Sequence, residues 1–254
     1  MKSVCLIGEY SKANWPGSAT NKVQRYVAQN LMLSGKKVTV YELPPIKGKI
    51  RKLFSKTKIS CQNNIEIVQG GALRIITFLF KGDFDVIHFI VTRKYMLASL
   101  PVLPFVRSKI ISTFHDTLIF SEKVGSINRY LDYFLYRLLL FFSNKIFIYN
   151  NLDFVRVNKF SKNKAILMKN GVDAKFFSPC YNKKPLNEVV FASGLGKVYK
   201  GLKFLEEALL QVREKFSFII CGENAGQQEN SNYIGPIGQE DFRNLLQELS
   251  YHSL

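Results

Sequence analysis

Short apolar runs exchange regularly with longer amphipathic ones along this chain, and that alternation constrains its fold more than any single motif. Residues 3–8 (SVCLIG) read as a buried strand, and the loop EYSKANWPGSAT follows. Residues 21–34 read as a helix with Val23, Tyr26, Val27, Asn30 and Leu31 facing inward. Gly35 stands where a C-terminal cap belongs, and residues 37–43 form a second strand. Strand, glycine loop, helix, strand is a βαβ unit, whose sheet is parallel and whose crossover is right-handed. Further strands are expected at 65–69, 85–90, 109–114, 145–149 and 165–168. Helices are expected at 72–80, 95–103 (cut by Pro101 and Pro104), 126–142 and 150–160, which makes a doubly wound α/β domain. Ligands of such sheets lie beyond the C-terminal strand ends. That rule places Gly17 and Ser18 at the cleft, and His115 at a strand end that faces it.

Asn170-Gly171 is a turn dipeptide, and Lys183-Lys184-Pro185 reads as an exposed linker. Phe176 and Phe177 can anchor the turn between them. The α/β theme then returns: strand 189–192, helix 202–213, strand 216–221, a brief strand 233–237 and helix 239–249. Between the first strand and first helix of this half, Gly194, Gly196 and Gly201 open the loop, while Lys197 and Lys200 make it cationic. A glycine and lysine loop that enters a helix N-terminus suits an anionic group such as a diphosphate. The loop is neither a Walker A motif nor a G-x-G-x-x-G fingerprint, which counts against kinase and dehydrogenase readings.

Composition narrows the function further. At 254 residues the chain is long enough for one large domain or two modest ones. The start does not read as a cleavable signal, and Arg129, Asp132 and Arg137 interrupt the most apolar stretch, so a cytoplasmic protein is expected. Cys5, Cys61, Cys180 and Cys221 lie far apart and read as reduced thiols; no pair has metal-ligand spacing, and no metal is expected. Asp83-Phe84-Asp85 resembles an Asp-x-Asp metal motif but precedes its strand, away from the expected cleft. His88 reads as a core or cleft-edge residue, and Glu206-Glu207 as a solvent-facing pair.

The formal charge of +17 asks for anionic partners. Lys47, Lys49, Arg51, Lys52, Lys56 and Lys58 crowd one segment, 46–58, with Ile50, Leu53 and Phe54 at helical spacing. Two readings of this segment stand: a peripheral contact with an anionic membrane surface, and a solvated basic loop. Specific nucleic-acid binding is not expected, because no base-reading motif is present. For His115 two readings also stand: a group at the reacting centre, or a hydrogen-bonded structural histidine.

Several segments in order resemble glycosyltransferase family 4, enzymes with the GT-B fold. They are the glycine loop and helix of 17–35, DVIHFI at 85–90, STFHD at 112–116, NGVDAKFFSP at 170–179, FASGLGKVYKGLKFLEEAL at 191–209 and FIICGE at 218–223. The resemblance implies two Rossmann-like domains, an acceptor-side one over 1–175 and a nucleotide-sugar-binding one over 176–254. It implies transfer of a sugar from a nucleotide-diphosphate donor, with retention and without an essential metal or other cofactor, to a lipid-linked or saccharide acceptor in surface polysaccharide synthesis. By position it implies that Lys200 contacts the donor diphosphate, with Gly194 and Gly17 letting backbone approach it. It also implies that His115 faces the transferred sugar.

Leu195 stands where many members carry Arg, and Lys197 is the candidate replacement charge. The family's glutamate pair, spaced by seven residues beside a glycine-rich segment, does not occur, so a truncated second domain is expected. The alternative is a non-catalytic basic α/β domain that binds anionic membrane or nucleic acid.

Overall fold

The computed structural model describes residues 2–8, 10, 19–43, 55–90, 95, 98–114, 127–169, 171, 174–178, 188–192, 201–211, 217–221, 232–235 and 237–248. The chain forms two compact units, the first running to Asn170 and the second starting at Gly171.

In the first unit, β1 (Ser3–Ile7), α1 (Ala19–Leu33) and β2 (Lys37–Glu42) make the expected βαβ unit. Gly35, at φ +72°, ends α1. Its N–H donates to the Met32 carbonyl and that of Lys36 to the Leu31 carbonyl, the paired bonds of a Schellman cap. Then come β3 (Lys58–Gln62), β4 (Ile65–Gln69), α2 (Arg74–Lys81) and β5 (Val86–Ile90). A 3-10 turn at Leu103–Phe105 leads to β6 (Lys109–Phe114), α3 (Ile127–Phe142), β7 (Lys145–Ile148), α4 (Asn151–Ser161) and β8 (Ala165–Leu167).

The strands make one eight-stranded sheet in the order β3-β4-β2-β1-β5-β6-β7-β8. Every pair is parallel except β3 with β4. From β1 the chain first moves outward to β2, then returns across the sheet to β5 and continues the other way. A right-handed crossover made in opposite directions puts its helix on opposite faces. Accordingly α1 packs on one face, with Ala28 against Val4, Leu6, Val40 and Ile65. Residues of α2, α3, α4 and the 3-10 turn pack on the other, around Ile7, Ile87, Ile110 and Ile146.

The helix expected over 95–103 is helical at the described positions Tyr95, Ala98 and Ser99 and gives way to the 3-10 turn where Pro101 and Pro104, which cut it in the sequence reading, each remove a backbone donor. Two other readings are corrected. Strand β3 was not foreseen; it folds back on β4 through Asn63 and Asn64, both in the left-handed region at φ 51° and 60°. Lys58, placed in the basic segment, is its first residue, and residues 46–54 of that segment lie outside the described residues. On α1, Tyr26 and Asn30 are exposed, and Gln24 and Ala28 are the buried positions. The side chains of Val23, Val27 and Leu31 stay half-buried on the flank of the helix.

The second unit has a parallel three-stranded sheet in the order β11-β10-β9, from β9 (Glu188–Ala192), β10 (Ser217–Cys221) and β11 (Asn232–Gly235). Helices α5 (Leu202–Gln211) and α6 (Gln239–Glu248) complete it. Arg243 of α6 stacks 4.9 Å from the Phe176 ring centroid, and Gln247 donates to the Ser178 carbonyl at 3.1 Å. The Phe176-Phe177 pair, with centroids 4.9 Å apart, thus ties the start of this unit to its last described helix.

Candidate functional site

In the first unit the strand order reverses at β1 and β5, and the rule for open α/β sheets places the ligand crevice past Ile7 and Ile90. The described residues fix the mouth of this crevice closely. Gly8 follows β1 and donates its N–H to the Tyr41 carbonyl at 3.1 Å. A Cβ on Gly8 would collide with the Gln24 amide, so any larger residue there requires that side chain to move. Gln24 is fully buried, and neither its amide oxygen nor its amide nitrogen has a hydrogen-bond partner among the described residues.

Two residues on, the Tyr10 N–H donates to a Glu42 carboxylate oxygen at 2.9 Å. The other Glu42 oxygen accepts from Gln69 at 2.6 Å. Arg25 donates to the Tyr10 carbonyl at 3.1 Å and lies 5.4 Å from its ring centroid. Burial raises the Tyr10 phenol above its usual range; the Arg25 cation opposes this rise and the Glu42 carboxylate adds to it. The ends of β1, β2 and β4 are therefore locked together at the start of the loop that carries Gly17 and Ser18. Sequence reading missed Glu42, Gln24 and Tyr10; the available signal was a Glu that ends an apolar strand at the same edge as a glycine.

The six predicted site residues, Gly17, Ser18, His115, Gly194, Lys197 and Lys200, all lie outside the described residues. What is described is the frame around them. Helix α1 starts at Ala19, directly after Ser18, and β6 ends at Phe114, directly before His115. In the second unit β9 ends at Ala192 and α5 starts at Leu202, so both flank the 193–200 loop. Gly201 sits at φ +81°, which an L side chain rarely adopts, and its carbonyl accepts from Leu205 N–H at 3.0 Å. The helix entry beside Lys200 is thus a glycine-dependent turn.

His88 is buried, with Nε2 2.7 Å from the Thr113 hydroxyl, and it sits within the sheet face. Asp85 stands at the N-terminal end of β5, where its carboxylate accepts from the Ser3 N–H at 2.7 Å and the Ser3 hydroxyl at 3.2 Å. Those bonds to Ser3 hold its carboxyl below the usual range. Asp85 therefore joins β1 to β5 at the edge opposite the crevice. Glu207 is exposed and pairs with Lys203 at 3.9 Å, as a solvent-facing residue should. Glu206 departs from that expectation: it is half-buried on α5, and one carboxylate oxygen is shielded with no hydrogen-bond partner. Cys5 and Cys221 lie buried in β1 and β10, and burial raises both thiols, most strongly Cys5. Among the described residues no helix is long and apolar enough to cross a membrane.

No protein-family model matches the sequence, and no curated protein does. Solved structures do match. The catalytic domain of starch synthase IV from Arabidopsis thaliana, bound to ADP and acarbose, aligns with all of this chain and 75% of its own, at 11% identity and TM-score 0.58. A trehalose-6-phosphate synthase, studied for glycosyl transfer with retention, aligns over 96% of this chain and 74% of its own, at 11% identity and TM-score 0.61. The UDP-GlcNAc 2-epimerase of Methanocaldococcus jannaschii aligns over 98% and 77%, at 11% identity and TM-score 0.51. At these identities the likeness speaks for architecture. The chain is an α/β protein of two Rossmann-like units with the GT-B fold.

Proposed function

We propose that this chain is a retaining glycosyltransferase that moves a sugar from a nucleotide-diphosphate donor to a lipid-linked or saccharide acceptor of surface polysaccharide synthesis. One observation carries the reading: in a GT-B fold, β9 and α5 bracket a Gly/Lys loop whose exit is the positive-φ Gly201. The N-terminus of α5 supplies backbone N–H groups, and Lys197 and Lys200 supply charge. The departing diphosphate gains negative charge in the transition state, and fixed cations and dipoles aimed at it lower the barrier. In this reading His115 faces the transferred sugar, and Gly17 and Ser18 let backbone approach the donor diphosphate. The acceptor side, the cytoplasmic face of a membrane, rests on the basic segment 46–58. Equal sedimentation with neutral and anionic vesicles would remove that part alone.

The test of the main reading is calorimetric titration with UDP, GDP and ADP, followed by product analysis with the matching sugar nucleotides. Lys200→Ala should weaken nucleotide binding and lower the transfer rate by about 100-fold or more, since removing one such group costs about 2.7–4 kcal/mol of activation free energy in other enzymes. His115→Ala should leave binding in place and depress turnover. Free epimerised or hydrolysed sugar nucleotide, with no transfer at any acceptor, would overturn the transferase reading, because this fold also serves an epimerase.

A second reading draws on the +17 charge: a non-catalytic domain for anionic membrane or nucleic acid. Under it, no nucleotide binds selectively, Lys200→Ala changes little, and polyanion binding falls steeply with salt.

A further inference from the structure

Among the described residues, α1 is the one helix on its face of the large sheet and covers only part of that face. Across β1, β5, β6 and β7 the same-side residues run Val4 beside Val86, His88 beside Ile111, and Thr113 beside Phe147. Among the described residues no helix packs over the β5–β8 part of this face; α1 stands at its flank. Between that flank and the strands lies a cavity of about 440 Å³. Its helix wall is Val23, Val27 and Leu31, one residue per turn. Its floor is Val86, Ile111 and Phe147, with His88 and Thr113 bonded to each other between them.

One end of the cavity is charged. Lys2 and Lys36 line it there, just before β1 and β2, where the Lys37 N–H donates to the Lys2 carbonyl at 3.2 Å. No carboxylate is among the described lining residues. Asp85 lies near Lys2 but gives its oxygen to Ser3. This end is the N-terminal edge of the sheet, opposite the crevice at the strand C-termini.

We propose that this cavity binds a monomeric anionic amphiphile of the fatty acyl carboxylate or alkyl phosphate kind. The hydrocarbon chain lies along Val86, Ile111 and Phe147 under α1, and the anionic head sits at Lys2 and Lys36. An apolar cavity stays dry and gains from each methylene it takes up. Its volume is in the range of small-ligand sites. Two adjacent cations at one mouth select the head and its orientation. The inference stands independently of sugar transfer, since it uses neither the Gly/Lys loop nor the crevice.

Calorimetry with monomeric dodecyl phosphate, below its micellar concentration, is the test. One saturable site per chain is expected. Ile111→Trp, which fills the cavity, should weaken it by about tenfold or more. The double variant K2E/K36E changes only residues at the rim and should weaken it by about tenfold. Dodecyl maltoside, with the same tail and a neutral head, should bind correspondingly worse. Circular dichroism of both variants checks the fold. If Ile111→Trp does not fold, the rim variant and the neutral head decide alone. Three outcomes overturn the proposal: no saturable binding, equal affinity for the neutral and anionic heads, or binding to phosphatidylglycerol vesicles without binding to the monomer.

Discussion

The two faces of the eight-stranded sheet differ in how they are finished. One is covered along its width by α2, the 3-10 turn, α3 and α4, and its cluster runs unbroken from Cys5 to Ile146. The other carries, among the described residues, only α1, over β1, β2 and β4, and Ile111 and Phe147 are half-buried there beside a cavity. The strands contribute similar Val, Ile and Phe residues to both sides, so composition does not explain the contrast. Crossover handedness does: every connection after β4 moves the same way across the sheet and so lays its helix on the same face. Among the described residues, the second face keeps apolar surface that no regular element covers.

The largest effect that could break this comparison is at the closed face. Leu139→Ala, at a fully buried position of α3, should cost about 2–5 kcal/mol by urea denaturation. A much smaller cost would mean that this face collapses readily and is not the firm one. Next comes the seam where α1 meets the end of β1. Gly8→Ala drives a methyl into the buried Gln24 amide and should cost about 1–3 kcal/mol. Because the collision is with that one side chain, Gly8→Ala combined with Gln24→Ala should lose less than the two single costs added together.

Ile111→Ala on the open face should cost only about 1 kcal/mol, since a half-buried side chain loses fewer methylene contacts. A loss equal to that of Leu139→Ala would show that the open face is packed in solution. The smallest effect belongs to Asp85→Asn at the edge shared by both faces. Ser3 holds the folded carboxyl below its usual range. Its stabilisation is therefore full at neutral pH and is lost as pH falls through the lowered folded value. The variant and the parent should differ slightly in midpoint at pH 7 and converge in acid. A difference that persists at low pH would point to a cause other than the carboxylate.

Strands β5 and β6 were legible because DVIHFI and KIISTF are near-continuous apolar runs bounded by charge. Gly35 was legible because a positive-φ cap asks for glycine. Strand β3 was not, since KISCQ is exposed throughout and its hairpin turns on Asn-Asn in place of the more familiar Asn-Gly. The orientation of α1 was misread for a related reason. Tyr26 carries an apolar ring and looked buried, while Gln24 is polar and looked exposed. Packing at Gly8 chose the opposite. The candidate site was legible as a frame: a strand end, a glycine turn and a helix start can be read from spacing. The assignment of Lys200 and His115 came from resemblance, because no periodicity tells a chemical lysine or histidine from a solvated one.

The reversed strand β3 also bears on how such a sheet can lengthen. Beyond β8 another parallel strand can be added through one more crossover of the same hand, which is how β5 through β8 follow one another. Beyond β3 the polarity is already turned, so a parallel unit built in register with β4 has no neighbour to continue from. The hairpin makes this border a terminus and the β8 border an extendable one. Insertions that lengthen the sheet should therefore be accepted at the β8 side and rejected at the other.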